Sequence, residues 1–521
     1  MVQGLREWTV TVDMVVDRQL AAELGEVGAQ CRRVPETPDL GEGAPVVHQA
    51  PWWHGHRPSS HDGSMSLTGV VVGAGDRGYD AYATLLLDEP DLGRIVAVAD
   101  PDPGRRTRFA RRYSLARDRL YTGWDELFEQ PKLADYAIVA TGDTHHVEPT
   151  LLALEAGYHV LLEKPMALDE SDCVRIVEAA REAERTVAVC HVYRYSHVFA
   201  ALRREIEAGS LGDVVSIQLS ENVAYWHYAH SYVRGNTRNA QVPWLLQKSC
   251  HDMDLLQWLA GSRATQVSSF MRPTELTEAN APEGAPEYCI EGCPHSGQCP
   301  YDAVATYREL TPMLSDLAMA ERPIGLGPAA SALKVALPRL RKMDVADSAR
   351  RLQWWRWPVA AVTDDHTPEG LEQALRTTRW GRCAYRVEDN DQPSAQTVSI
   401  RFDNGVLANF TLQSTSHRTM RSVRVNGTRG SAWGELRALD GWLKVADHVS
   451  GRVRSVRIPT AYDGHGGGEV PLFFDIHRAV RTGTQPMVSA AESVESHRIA
   501  FAAMKSASDG GVVDLQPLGP G

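Results

Sequence analysis

The sequence lacks any long apolar run: nothing in its 521 residues approaches the roughly 18 needed to span a bilayer. Its first stretch, MVQGLREWTVTVDMVVDRQL, is broken by Arg6, Glu7, Asp13 and Asp17 and has no apolar core of the kind a secretory signal carries. The location this implies is the cytoplasm. Positive charge is not in excess either. A formal net charge of -12 argues against nucleic acid or an anionic membrane as the main partner. Cysteine is sparse: eight in a chain of this length do not make a disulfide framework. What remains is ordinary globular composition, 43% hydrophobic and 23% charged, in a chain long enough for more than one core.

Residues 1–64 are rich in Pro, Gly and His and show no sustained period, so they read as an irregular extension. They are either dispensable or an arm that covers a neighbouring subunit. Residues 65–190 alternate short apolar runs, TGVVVG, GRIVAVAD, ADYAIVAT and HVLLEKP, with helical stretches. That alternation predicts a parallel sheet with helices on both faces. Residues 191–521 change character. DVVSIQLSEN, AQTVSIRFDNGVLANFTLQS and MRSVRVNGTRGSAWGEL read as strands joined by turns, a mostly antiparallel sheet with a few helices. An insertion is expected at about 271–360, where the stretch from Ala303 to Trp357 is basic and ends in QWWRW.

The stretch GVVVGAGDRGYDAYA holds Gly73, Gly75 and Gly78 as G-x-G-x-x-G, with Asp76 and Arg77 inside the loop. The motif alone is weak, but an apolar strand precedes it and a helical stretch follows. Asp100 ends the next strand 22 residues after Gly78 (100 − 78). Each part has a physical reason. Gly73 allows the tight turn, Gly75 leaves room for a pyrophosphate, and Gly78 lets helix and strand approach. The helix start offers amide hydrogens to phosphate. Asp100 would accept from ribose hydroxyls and repel a 2′-phosphate, which favours NAD over NADP.

With LLEKPM, ATGDTHH, YRYSHVFAALRREIEAGSLGDVVSI and KSCHDMDLLQWL in this order, the chain resembles the glucose–fructose oxidoreductase / inositol dehydrogenase / MocA-like family from about Met65 to Leu515, the insertion excepted. The resemblance implies a Rossmann dinucleotide-binding domain followed by an α/β domain with a large open sheet. It implies NAD, a homo-oligomer, and oxidation or reduction of a secondary alcohol on a sugar, cyclitol or related small molecule. Lys164, in Glu163-Lys164-Pro165, matches the family's active-site lysine, and His251 its catalytic histidine. Thr141 and His146 match the loop beside the nicotinamide ribose, with Gly142 and Asp143 where Pro and Asn are usual. Arg194 matches the arginine after the last Rossmann strand; with Glu163 it joins the expected cofactor set. Many members carry an aspartate four residues before the histidine; here that position is Gln247.

Such chemistry needs a base for the hydroxyl proton and a cation beside the developing alkoxide. His251 is expected as base. Lys164 is expected as stabiliser, its pKa lowered by burial and positive neighbours, with Lys248 as a second cation. The polar, aromatic segment ENVAYWHYAHSYVRGNTRN offers Asn222, Tyr225, His227, His230, Arg234 and Arg238, alongside His251, to a polyhydroxylated ligand. Cys289, Cys293 and Cys299 lie close in sequence, with His295, Cys250 and Cys383 as candidate fourth ligands. They suggest a structural zinc, a reduced thiol cluster or a disulfide. Three functions stay open: a sugar or glycoside dehydrogenase acting at C3, a glycoside-cleaving enzyme using transient C3 oxidation, and a non-catalytic NAD-binding regulatory subunit.

Overall fold

The computed structural model describes residues 66–235, 242–309, 358–363, 365, 367–388, 390–437, 441–459 and 465–518. The expected extension at 1–64, Arg238 and the basic run from 310 to Trp357 lie outside the described residues. The N-terminal half is built on six strands: β1 (Thr68–Val72), β2 (Arg94–Ala99), β3 (Leu120–Tyr121), β4 (Tyr136–Val139), β5 (His159–Leu162) and β6 (Val187–Val189). They are all parallel, in the order β3-β2-β1-β4-β5-β6. Val70, Val71 and Val72 are fully buried, as a strand covered by helices on both faces requires. Among those helices, α1 (Pro103–Tyr113) starts with Asp102 accepting from Arg105 N and with Pro103 in its first turn. Next come α2 (Val147–Glu155) and α3 (Glu170–Glu182), the latter capped by Asp169.

After α4 (His197–Glu207) the chain enters the second sheet with β7 (Val214–Ala224), then α5 (Trp244–Ala260) and β8 (Ala264–Arg272). β9 begins only at Ala395, so the excursion between β8 and β9 runs well past residue 360 and includes α6 (Pro368–Thr377). The remaining strands are β9 (Ala395–Phe402), β10 (Leu407–Ser416), β11 (Met420–Gly427), β12 (Gly430–Arg437), β13 (Gly441–Asp447) and β14 (Val453–Val456). Helices α7 (Glu469–Thr482) and α8 (Ala490–Asp509) then lead to β15 (Val512–Asp514). The nine strands run β14-β13-β12-β11-β7-β10-β9-β8-β15, antiparallel throughout except where β7 meets β10. Alternate residues of β9 are buried and exposed, the mark of a sheet covered on one face.

The C-terminal segment helps hold the halves together. Helix α8, capped by Ser489 in a Ser-x-x-Glu start, packs against α5, α3 and β8. Val189 N donates to Val488 O at 2.9 Å, so the C-terminal segment returns to the edge of the first sheet. Among the described residues, no helix is long and apolar enough to cross a membrane.

Candidate active site

The C-terminal ends of the parallel strands converge on one edge, where an open α/β sheet places its ligand. At the end of β1, Gly73 has φ +94°, and a Cβ there would lie 2.5 Å from Ala140 O. A Cβ on Gly78 would lie 2.0 Å from Gly73 O, whereas one on Gly75 would meet nothing within 4 Å. The first and third glycines are therefore required by the fold itself, and the second leaves an open face. Asp100 follows β2; its carboxylate accepts from Ala74 N at 2.7 Å and from Asp102 N at 2.9 Å, holding the glycine loop against the second strand. Asp76 is exposed at the start of the helical segment Asp76–Ala83.

Arg77 turns away from this open face. It donates to Glu163 Oε1 at 2.7 Å, to Tyr82 Oη at 2.7 Å and to Glu469 Oε1 at 3.1 Å. Its expected place on the cofactor gives way to a role in bracing the loop. Burial works against ionised Glu163, but Arg77 and Lys164 outweigh it and hold the carboxyl at about 2. Thr141 Oγ1 donates to His145 O at 2.8 Å. His146 is fully buried, with Nδ1 2.6 Å from Pro165 O, so it clamps the loop after β4 to the loop after β5 from behind. Arg194 is 2% exposed; it grips Asp254 through Nε at 2.7 Å and Nη2 at 2.6 Å, and donates to Met487 O at 2.8 Å. It fastens α5 to the first domain through these three bonds, so a structural role accounts for it beside the expected cofactor role.

Lys164 reaches the helix that carries His251. The Lys164–Pro165 peptide is cis, and Lys164 Nζ reaches across to Gln247 O, in the first turn of α5, at 2.9 Å. One turn further along α5, His251 is 6% exposed, with the Tyr193 ring 4.9 Å away and the His191 ring 5.7 Å away. Burial, then Lys164 and His191, push the His251 pKa well below the ordinary histidine value, so the ring is neutral. Lys164 goes the other way from expectation. Burial opposes its charge, but Cys250, Asp143 and Glu163 outweigh it and raise its pKa.

Lys248 sits in a buried network that sequence reading found only in part. Its Nζ lies 3.2 Å from Glu221 Oε1; Glu221 Oε2 lies 3.0 Å from Arg421, and Arg421 Nε donates to Asp252 at 2.7 Å. The two Glu221 contacts are charge pairs without hydrogen-bond alignment. Glu221 outweighs burial and keeps Lys248 charged. The Arg421 guanidinium also covers the Tyr193 ring at 3.8 Å. Strand parity was the signal available for Glu221: it shares the inner face of β7 with Ile217, Leu219 and Val223, and pairs directly across from Arg421.

The same parity removes Asn222 from the site. It pairs with Gln413, in the row of β10 that includes Leu407, and so belongs to the outer face of the sheet. Its amide donates to Ser220 Oγ and Met420 O. Tyr225, His230 and Arg234, expected at the substrate, contact the excursion between β8 and β9. Tyr225 packs edge-on against Tyr301 at 6.4 Å. His230 Nδ1 pairs with Tyr307 Oη at 2.8 Å and its ring stacks on Trp380, its pKa pushed down to about 3 by burial and Arg234. Arg234, fully buried, donates to Arg382 O at 2.8 Å and Tyr301 O at 2.6 Å.

Comparison with known proteins supplies the family. The oxidoreductase family's NAD-binding Rossmann fold matches residues 67–191, and its C-terminal alpha/beta domain matches 203–307 and 376–515. The chain belongs to the Gfo/Idh/MocA oxidoreductase family. It is 33% identical over 223 residues to inositol 2-dehydrogenase 4 of Saccharopolyspora erythraea, covering 41% of this chain and 59% of that protein. It is 29% identical over 193 residues to 2,7-anhydro-N-acetylneuraminate hydratase of Escherichia coli, covering 37% and 49%. These matches span less than two thirds of either relative. In fold it is similar to an oxidoreductase from Agrobacterium radiobacter solved with NAD+, L-tartaric acid and magnesium, with a TM-score of 0.57, 14% identity, and coverage of 86% of this chain and 98% of that one.

The family's domain match breaks between 307 and 376, inside the excursion. There Cys289, Cys293 and Cys299 line one small cavity with His295 and Cys383. Cys289 N donates to Gly381 O and Cys383 N to Glu287 O, which brings the two segments together. All four thiols are free. Burial pushes the Cys299 thiol up to about 11. Among the described residues no group of three or more His, Cys, Asp or Glu is arranged to hold a metal ion, so the expected zinc is not supported.

Proposed function

We propose that this member of the family is an NAD-dependent dehydrogenase that interconverts a secondary alcohol and a ketone on a sugar, cyclitol or glycoside. The observation that carries the reading is that Lys164, from the Rossmann domain, bonds to α5 one turn before His251, close enough to act on that ring's charge. The loop residues fit a dinucleotide. A Cβ at Gly75 or at Gly142 would meet nothing within 4 Å, so the backbone is open toward the cleft. Asp100 at the end of β2 stands beside the glycine loop, whose Ala74 N it accepts from; a carboxylate there is the group that would disfavour a 2′-phosphate and so favour NAD. When bound, the nicotinamide would supply or accept the hydride. His251 takes the hydroxyl proton on its ring nitrogen, and the protonated Lys164 steadies the negative charge that develops on that oxygen. Lys248 contributes field from behind, held by Glu221.

A screen of sugars, inositols and glycosides, followed by NADH absorbance and product mass, tests this. A dehydrogenase accumulates NADH in step with ketone, and the product identifies the carbon, C3 being the sequence-based expectation. The redox-neutral reading draws support from the hydratase relative: product with no net NADH is its signature. Binding of NAD with no turnover of anything selects the regulatory subunit. Asp100→Ala should raise use of NADP relative to NAD, since a ribose acceptor and a repulsive charge are both lost. An unchanged ratio removes Asp100 from the ribose site. A second copy is the occupant we propose for the outer face of the nine-stranded sheet, where Phe270 and Leu407 stand 77% and 51% exposed. Light scattering that finds a monomer rejects it.

A further inference from the structure

We propose that His191 is a positioning residue for His251: it pairs with His251 Nδ1, directly or through one water, and so keeps the base in the tautomer whose Nε2 is free to take a proton. The proposal rests on His251 being the base.

His191 follows β6 and is 1% exposed. Neither of its ring nitrogens has a hydrogen-bond partner among the described residues, and neither does His251 Nδ1. Leaving such atoms buried and unpaired is costly, so they must find complements. The His191 ring stands between two others, His251 at 5.7 Å with the planes at 78° and His497 at 5.5 Å. His497 is already satisfied: its Nδ1 faces Ser493 O at 2.7 Å and its Nε2 accepts from Met166 N at 3.0 Å. That leaves His251 as the imidazole with an open valence toward His191.

A neutral imidazole is one donor and one acceptor, so two neutral rings complement each other and two charged rings do not. Around His191, burial, Arg194 and Lys164 favour the neutral ring, with Glu163 the opposing charge. Around His251, burial, Lys164, Arg421 and His465 act in the same sense. With His251 Nδ1–H given to His191, the lone pair of His251 lies on Nε2. In catalytic histidines, the partner of the far nitrogen sets the tautomer of the near one. Here the residue one helical turn before His251 is Gln247, which cannot ionise. Its Oε1 is also unpartnered and is the competing acceptor for the same proton.

The test reads tautomer and rate separately. In the full-length protein with NAD bound, 15N-labelled histidine should show His251 as a single Nδ1–H tautomer. A mixture in the unsubstituted protein overturns the proposal. His191→Phe keeps the ring shape and removes both nitrogens. It should produce the mixture and lower kcat at least about tenfold, short of the roughly 10²–10⁴ of losing the base itself, with KM and NAD affinity nearly unchanged. His191→Gln keeps a donor and an acceptor and should restore most of both. If His191→Phe leaves tautomer and kcat alone, or if Gln247→Met is the change that releases the tautomer, His191 is not the partner. Where the unsubstituted protein turns over no alcohol, the dehydrogenase reading fails while the tautomer measurement still decides the pairing.

Discussion

The two walls of the cleft hold their lysines differently. On the Rossmann wall, Lys164 donates to one backbone carbonyl, Gln247 O, and among the described residues no other group accepts from its ammonium. On the opposite wall, Lys248 belongs to a buried chain of four charges, Lys248, Glu221, Arg421 and Asp252. A carbonyl holds an ammonium in place yet can be exchanged for a substrate oxygen at little cost. A buried carboxylate cannot, because separating the pair leaves two uncompensated charges. Two lysines in one cleft therefore serve different purposes: the first is free to follow the reacting oxygen, and the second fixes β7, β11 and α5 around His251.

Lys164→Met and Lys248→Met should separate along that line. Lys164→Met should lower kcat by roughly 10²–10⁴ with a near-normal melting temperature. Lys248→Met should lower the melting temperature and affect kcat much less. Steady-state kinetics and thermal unfolding on both proteins check this, and equal losses of kcat would break the contrast between the walls.

Arg421→Met probes the fixed wall directly. Arg421 is the cation that both Glu221 and Asp252 face, and all three are buried. Removing it should cost about 3–5 kcal/mol, the usual range for breaking a buried pair from one side. Denaturant unfolding measures this. A loss below about 1 kcal/mol, the scale of an exposed pair, would mean that water reaches the network.

Gln247→Asp sharpens the comparison by placing an acid between the walls. His251 now sits well below the ordinary histidine pKa because of burial and Lys164. An anion one helical turn away favours the protonated ring and raises that pKa. Catalysis needs the neutral form, so the acidic limb of the kcat/KM profile should start at low pH and move to higher pH in the variant. A limb that stays where it was separates His251 from the titrating group.

What the sequence could reveal follows from range. The glycine loop, Asp100, Lys164 and His251 are local patterns at the ends of strands or one turn into a helix, and short-range sequence is enough to place them on those elements. Arg194, expected from the resemblance, and His230 and Arg234, expected from the chemistry of their segment, have partners far away in sequence. Arg194 meets Asp254, 60 positions on, and Arg234 meets Arg382, 148 positions on. Such pairings depend on which faces pack, which a single strand's composition does not disclose. Glu221 and Asn222 are the sharpest case: adjacent and both polar, they separate only once the register of β7 against β10 and β11 is known.

Asn222→Ala should therefore have the smallest effect on catalysis. Its amide donates to Ser220 Oγ at 3.0 Å and Met420 O at 3.2 Å, and its oxygen accepts from Gln413. These are contacts of the outer face, so their loss should cost about 1 kcal/mol of stability, the net worth of a typical hydrogen bond. Asn222 is buried but lies on the face of β7 opposite Glu221, so kcat and KM should both stay within about twofold, a change under about 0.5 kcal/mol. The neighbouring Glu221→Gln removes a charge from the inner face and should disturb both stability and rate by more. If Asn222→Ala raises KM for the substrate as strongly as Glu221→Gln does, the outer face of β7 reaches the cleft after all. The division of that strand into a supporting face and a surface face then fails.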